Sequence, residues 1–440
     1  NTLLLQNTLG VGGGTTGSGT VSSANYVNFN NLTLNSGTWT LQGPVVSGNT
    51  TLNGGVALYN NSATFGSGLL TSNGGVLQAS TAGLTLNNLI SLGAGGLTLQ
   101  GSNDTTLAGV ISGGGGLVKS GAGQLTLNGA NTYTGSTTLN GGTVQVGNNQ
   151  AFSTSTVTLG GAATLSAPGT VNLGNSLVLN NALSTSGVGA LTLSGVLSGS
   201  AALNKGGTGS LTLSGNNTGF SGTTNLNAGS LILGNNNALG SGLLSTAGGT
   251  TLDTNTAISL GNALALAGNL TLGGSNALTL GGLVSGAGGL IKNGSADLVL
   301  NSANAYLGNT ALNAGRLIVG NAGALSTGTL NAAAGTTLDA NTALSLGNNV
   351  NLAGALTIGG TQNLGLSGQI NGAGGLNKNG TASLTLSGNN GSLGNTNLNS
   401  GSLIVGSNLR LEGRLLHPRL FLFSSRRRHT SCYRDWSSDV

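Results

Sequence analysis

The stretch GGLIKNGSADLVLNSANAYLGNTALNAGRLIVGN, Gly288 to Asn321, decides the fold. Its apolar residues alternate in short pieces, Leu298-Val299-Leu300 and Leu317-Ile318-Val319. A period of two belongs to strands rather than helices. Between the pieces lie Asn-Gly and Ala-Gly, which supply the positive φ that tight turns need. Good helix formers such as Glu, Lys, Gln and Met are scarce throughout.

The stretch is one copy of a repeat. GGLVKSGAGQLTLNGANTYTGSTTLNGGTVQVGN (Gly115 to Asn148) precedes it, as does AALNKGGTGSLTLSGNNTGFSGTTNLNAGSLILGN (Ala201 to Asn235), and GGLNKNGTASLTLSGNNGSLGNTNLNSGSLIVGS (Gly374 to Ser407) follows. A worn copy stands at WTLQGPVVSGNTTLNGGVALYNN, Trp39 to Asn61. The glycine of the shared LN-x-G turn falls at Gly55, Gly142, Gly229, Gly315 and Gly401, a period of 86 or 87 residues, so units end near 61, 148, 235, 321 and 407. The stretches between copies match as well: TTLDTNTAISLGN at Thr250 returns as TTLDANTALSLGN at Thr336.

Each unit holds about eleven strand-like pieces roughly eight residues apart. An antiparallel sandwich or propeller meets that spacing, and so does a parallel β-helix with three short strands per coil. The β-helix fits better, because stacked identical repeats bury together an apolar face that none can bury alone. The expected fold is all-β: a right-handed parallel β-helix, the handedness being the default of parallel crossovers. At about four coils per unit, residues 1–408 make about eighteen coils, a rod of about 85 Å at about 4.8 Å per coil.

The repeat GGL-x-K-x-G-x-G-x-LTL-x-G-x-NTYTG-x-T-x-LN-x-G at Gly115 to Gly142, with its later copies, resembles the autotransporter-associated β-strand repeat of bacterial type V secretion passengers. The resemblance spans nearly all of residues 1–408 and is weaker before Gly55. It implies a passenger exported across the outer membrane and displayed at the cell surface or secreted. The partner it implies is the C-terminal translocator β-barrel of the same full-length chain. The absence of Met from the 440 residues fits a processed product or an internal fragment.

Charge divides the chain in two. Residues 1–408 carry Lys119, Lys205, Lys292, Arg316 and Lys378 against Asp104, Asp253, Asp297 and Asp339. Residues 409–440 hold the remaining Arg, both His, the only Cys and the only Glu. The tail SSRRRHTSCYRDWSSDV reads as sequencing-adaptor read-through, disordered and foreign to the fold. The basic balance therefore does not indicate a nucleic-acid partner. With no Cys before Leu409, no disulfide can form there in an oxidising compartment.

Chemistry is hard to place on residues 1–408. No His or Cys is present there for a triad, a zinc site or a thiol nucleophile. GGGGLVKS at Gly113 to Ser120 fails the phosphate-loop pattern, since Val118 precedes Lys119. Asp253 and Asp339 occupy one repeat position, too far apart for paired catalytic carboxylates, and read as turn or strand-end residues bonding their own backbone. Asp104 and Asp297 read as isolated turn residues. The reading is accordingly no enzyme, no cofactor and no metal.

Two further positions recur. Lys119, Lys205, Lys292 and Lys378 form either a basic row for anionic glycans or nucleic acid, or solvated turn residues that discourage aggregation, and the second reading is favoured. Tyr133, Phe220 and Tyr306 share a position, Val46 and Ser392 in the outer copies, as a sugar-stacking row or, more simply, a packing plug. The function expected is a non-enzymatic stalk or adhesin passenger presenting a polar face for adhesion to a host or matrix surface, or for self-association. The alternatives are a scaffold for an enzymatic or effector head elsewhere, or a polysaccharide-processing β-helix.

Overall fold

A computed structural model describes residues 1–7, 17–390 and 394–406, and the backbone of Leu415–Leu416. The basic tail lies outside the described residues, apart from that two-residue strand, which pairs with Thr396–Leu398. Ser392 also lies outside them. Every described element is a strand, and the strand pairs are parallel. The described residues form all-β parallel solenoid coils, about 19 turns in all, close to the expected eighteen.

Most strands are three or four residues long, and the usual burial is in–out–in, as in Leu125–Leu127 and Leu211–Leu213. That pattern follows from the L-x-L sequence: the two leucines turn inward and the middle residue faces out. The core is a stack of leucine files, for example Leu97, Leu117, Thr137, Val157, Leu177 and Leu197 in successive register. One coil therefore takes about 20 residues, divided among three strands.

Two compact units share this architecture, Asn1–Gly286 and Ala287–Val440. In the first, the sheet that begins at Thr2–Leu5 ends at Ile111–Gly113, and the one that begins at Ser18–Ser22 ends at Leu197–Gly199. Each ladder stops where the chain reaches the NTYTG-type segment of a repeat. There Asn131 and Asn217 side chains replace strand hydrogen bonds, accepting from the Ile111 and Leu197 amides at 2.8 and 2.7 Å.

The repeat advances by four coils and one further strand, which adds the phase to the expected four or so coils. From Leu117–Lys119 the ladder runs through Thr137–Leu139, Val157–Leu159 and Leu177–Leu179 to Leu197–Gly199. The equivalent of the first strand, Leu203–Lys205, is the next strand along the chain and lies in a different sheet. In the second unit Leu290–Lys292 and Leu376–Lys378 are related in the same way. Residues equivalent in sequence thus occupy successive faces. The repeat lysines cannot form a single row along one side of either unit.

Candidate functional site

The repeat lysines point inward. Lys119, Lys205, Lys292 and Lys378 close three-residue strands of buried–outward–buried pattern, and their relative exposures are 4, 3, 1 and 1 %. The expectation of solvated turn residues is overturned by the same alternation that predicted the strands. In Leu117-Val118-Lys119 the valine faces out and the lysine in. Lys119 Nζ donates to the carbonyls of Gly121 at 2.8 Å and of Ser120 and Gly141 at 3.3 Å. Burial lowers the pKa of all four lysines, and for Lys119, Lys292 and Lys378 the field of Asp104, Asp297 and Asp339 respectively opposes that shift.

The turn glycines Gly55, Gly142, Gly229, Gly315 and Gly401 all have φ between 68° and 74°. Side chains rarely adopt that conformation, which is the reason for glycine at this position. Space gives a second reason at all five, since an added Cβ would lie 2.4–2.6 Å from a backbone oxygen, and at two the lysine is also met: a Cβ on Gly142 would lie 2.7 Å from Lys119 Nζ, and one on Gly401 2.9 Å from Lys378 Nζ.

Tyr133, Phe220 and Tyr306 are fully buried, as a packing plug requires, and none can stack on an external sugar. The hydroxyls of Tyr133 and Tyr306 meet Thr137 Oγ1 and Thr310 Oγ1 at 2.6 and 2.5 Å. Phe220 has no hydroxyl, and the equivalent Thr224 Oγ1 is buried without a partner. Burial pushes the Tyr306 phenol up to about 12, and Tyr59, bonded to Thr105 Oγ1, likewise to about 12.

Two buried asparagines per unit went unrecognised in the sequence. Asn131 and Asn217 donate to Ala151 O and Ala238 O in the following coil, both at 2.7 Å. From the coil beyond, Asn175 Nδ2 reaches back to Phe152, Ser153 and Ser155 carbonyls at 2.7–3.3 Å, and Asn348 to Leu325, Ser326 and Gly328. A turn with no ladder of its own is thereby held from both sides. The signal was available, since Asn88, Asn175, Asn262 and Asn348 recur at the repeat period.

The aspartates do not converge on one site. Asp253 Oδ1 accepts from the amides of Thr254 and Ser275, and Asp339 Oδ1 from Ala340, as strand-end residues. Asp104 Oδ1 accepts from the Gln124 amide at 2.8 Å. Asp297 is not isolated: Arg316 grips it through Nε at 3.1 Å and Nη2 at 2.5 Å, and Arg316 Nη1 stands 3.6 Å from Asp339 Oδ2. The Arg316 hydrogen bond holds the Asp297 carboxyl below its usual range. Among the described residues, no three His, Cys, Asp or Glu side chains gather into a metal-binding group.

Much of what faces solvent along the strands is short and uncharged. On one face Thr33, Thr51, Thr71, Ser91 and Ser112 stand in register on successive coils. Beside them Asn73 donates to Asn53 and Asn53 to Asn35, both at 2.8 Å. Another face carries Val76, Thr98, Val118, Thr138, Thr158, Val178 and Ser198. Among the described residues Arg316 is the one cationic side chain left outside, and two carboxylates flank it.

The passenger-associated-transport-repeat family model matches residues 117–146, 203–233, 290–319 and 376–405. These segments contain the lysine, aromatic and LN-x-G positions described above. No curated protein and no solved structure matches the chain.

Proposed function

We propose that this chain, four segments of which match the passenger-associated-transport-repeat, is an autotransporter passenger with a non-enzymatic role as a stalk or adhesin. The passenger family implies secretion or surface display. Within that frame the solenoid presents its files of Thr, Ser, Val and Asn for adhesion to a host or matrix surface, or to another copy. Right-handed winding, the default for parallel crossovers, belongs to this reading. So does export through a translocator β-barrel carried by the full-length chain.

One observation carries the proposal: all four repeat lysines turn inward and Arg316 is paired, which leaves Asp104 and Asp253 as the unpaired charged side chains of the outer surface among the described residues. Such a surface does not recruit anionic partners by long-range attraction, and it does not repel copies of itself. Hydroxyls and amides on a rigid sheet instead offer short-range hydrogen bonds to uncharged partners.

The test compares intact bacteria making the full protein with bacteria whose copy lacks residues 117–405. Antibodies to the repeats should label the first without lysis, and the deletion should abolish clumping and surface attachment. Label that enters only lysed cells, or adhesion unchanged by the deletion, would overturn the proposal.

A further inference from the structure

The oxygen nest around each repeat lysine has the same construction four times. One wall is the carbonyl two residues after the lysine: Gly121, Gly207, Gly294 or Gly380. The other is the carbonyl just before the turn glycine one coil later: Gly141 at 3.3 Å, Ala228 at 3.1 Å, Ala314 at 3.3 Å and Ser400 at 3.4 Å. Gly121 and the turn glycine of every nest have positive φ, which turns carbonyls toward the lysine instead of into the ladder. All the acceptors are neutral backbone oxygens. The salt bridges among the described residues belong to Arg316, so no carboxylate touches these ammonium groups.

A buried cation without a counter-ion is costly unless its donors are satisfied. At Lys119 three carbonyls receive Nζ, the number of N–H donors on an ammonium and one more than a neutral amine offers, while Lys205, Lys292 and Lys378 each meet the two carbonyls of the shared walls. Hard cations are commonly ligated by such sets of backbone oxygens.

We propose that each nest is a cation site filled in cis: the lysine ammonium is a tethered ion that couples the turn of one coil to the next, as a bound metal ion would. The site's chemical class is a small primary ammonium ion buried beside the leucine core. This inference rests on the interior of the fold and stands apart from the adhesive reading.

Lys205 is the cleanest test, because burial alone perturbs it, with no aspartate contribution. Lys205→Ala removes three methylenes and the ammonium, the atoms of n-propylammonium. The full chain carrying K205A is refolded with n-propylammonium, with 1-propanol as a neutral isostere, or with tetramethylammonium at equal ionic strength, and its urea midpoint is read. The variant should lose midpoint and regain more than half of the loss with n-propylammonium, with little change in the other two. The wild-type midpoint should be the same in all three. Equal recovery in 1-propanol would show that filling space suffices, and no recovery in any additive would show that there is no cation site; either overturns the proposal.

If K205A does not fold, the wild-type chain still decides. In the native state at neutral pH, the 15N signals of the four lysine Nζ atoms should show the three-proton coupling of an ammonium with slowed exchange, slowest at Lys119, where three carbonyls receive it. The four lysines should also resist reductive methylation while the terminal amine reacts. Freely methylated lysines, or averaged Nζ signals like those of the unfolded chain, would overturn the tethered-ion assignment.

Discussion

Replacing Phe220 by Tyr should stabilise the solenoid. Phe220 is fully buried, and Thr224 Oγ1, four residues on, has no hydrogen-bond partner. At Tyr306 the phenol closes the same gap, 2.5 Å from Thr310 Oγ1. The added hydroxyl therefore has a ready partner, and it relieves an orphaned group rather than creating one. A net hydrogen bond contributes about 1 kcal/mol, and an unsatisfied buried hydroxyl costs about 1–3 kcal/mol. Phe220→Tyr should then gain about 1 kcal/mol, and Tyr306→Phe should lose about 1–3 kcal/mol by stranding Thr310. Thr224→Val is the control. It should stabilise the wild type by deleting the orphan, and it should remove the benefit of Phe220→Tyr in a double-mutant cycle. Because a solenoid can unfold piecewise, the assay is native-state hydrogen exchange of the amides around Thr224, read beside the urea midpoint. Protection that falls in Phe220→Tyr, or a coupling energy of zero, would refute the reasoning.

Asn348→Ala should cost more than an ordinary surface change, about 2 kcal/mol, because Nδ2 serves three carbonyls that a methyl cannot satisfy; urea denaturation beside Asn351→Ala checks it. Gly315→Ala should cost at least about 1 kcal/mol, since φ is 70° and the new Cβ would meet Ser295 O at 2.6 Å; Ala314→Gly is the comparison. Stability should rise from neutral pH to about pH 10 and fall beyond it. The lysines have folded pKa values below the unfolded 10.5, so the unfolded chain holds more protons in that window and rising pH favours the fold. Tyr59 and Tyr306, raised to about 12, ionise first in the unfolded chain and reverse the trend. A flat or falling urea midpoint between neutrality and pH 10 would contradict this. At the acid end the depressed Asp297 carboxyl favours the fold above the unfolded 3.8, an advantage lost as pH falls through its folded value. That loss should be small, because Arg316 and Asp297 are partly exposed.

Strands, parallel stacking and three pieces per coil were legible because each follows from local alternation and turn glycines. The residue interval of the repeat was legible too, but not its phase against the coil. A spacing of 86 residues divides into four coils of about 20 with a remainder, and only the pairing of Leu177–Leu179 with Leu197–Gly199 shows that the remainder is one strand. The lysines were misread for a different reason. Their charge outweighed their place in the L-x-K alternation, and carbonyls that satisfy them come from two segments that sequence does not bring together. Arg316 and Asp297 are 19 residues apart and look unrelated until one coil is seen to take about that length. The clamping asparagines were hidden among many others, since exposed Asn ladders such as Asn35, Asn53 and Asn73 share their composition.

The most direct test of the account is the ionic-strength dependence of adhesion. Bacteria displaying the full protein should clump and attach to an uncharged hydroxylated surface equally well from low salt to a salt concentration at which the Debye length is about 3 Å. Adhesion that collapses as salt rises would mean that exposed charge carries the contact, and the inward-facing lysines and neutral outer faces described here would not be what the partner meets.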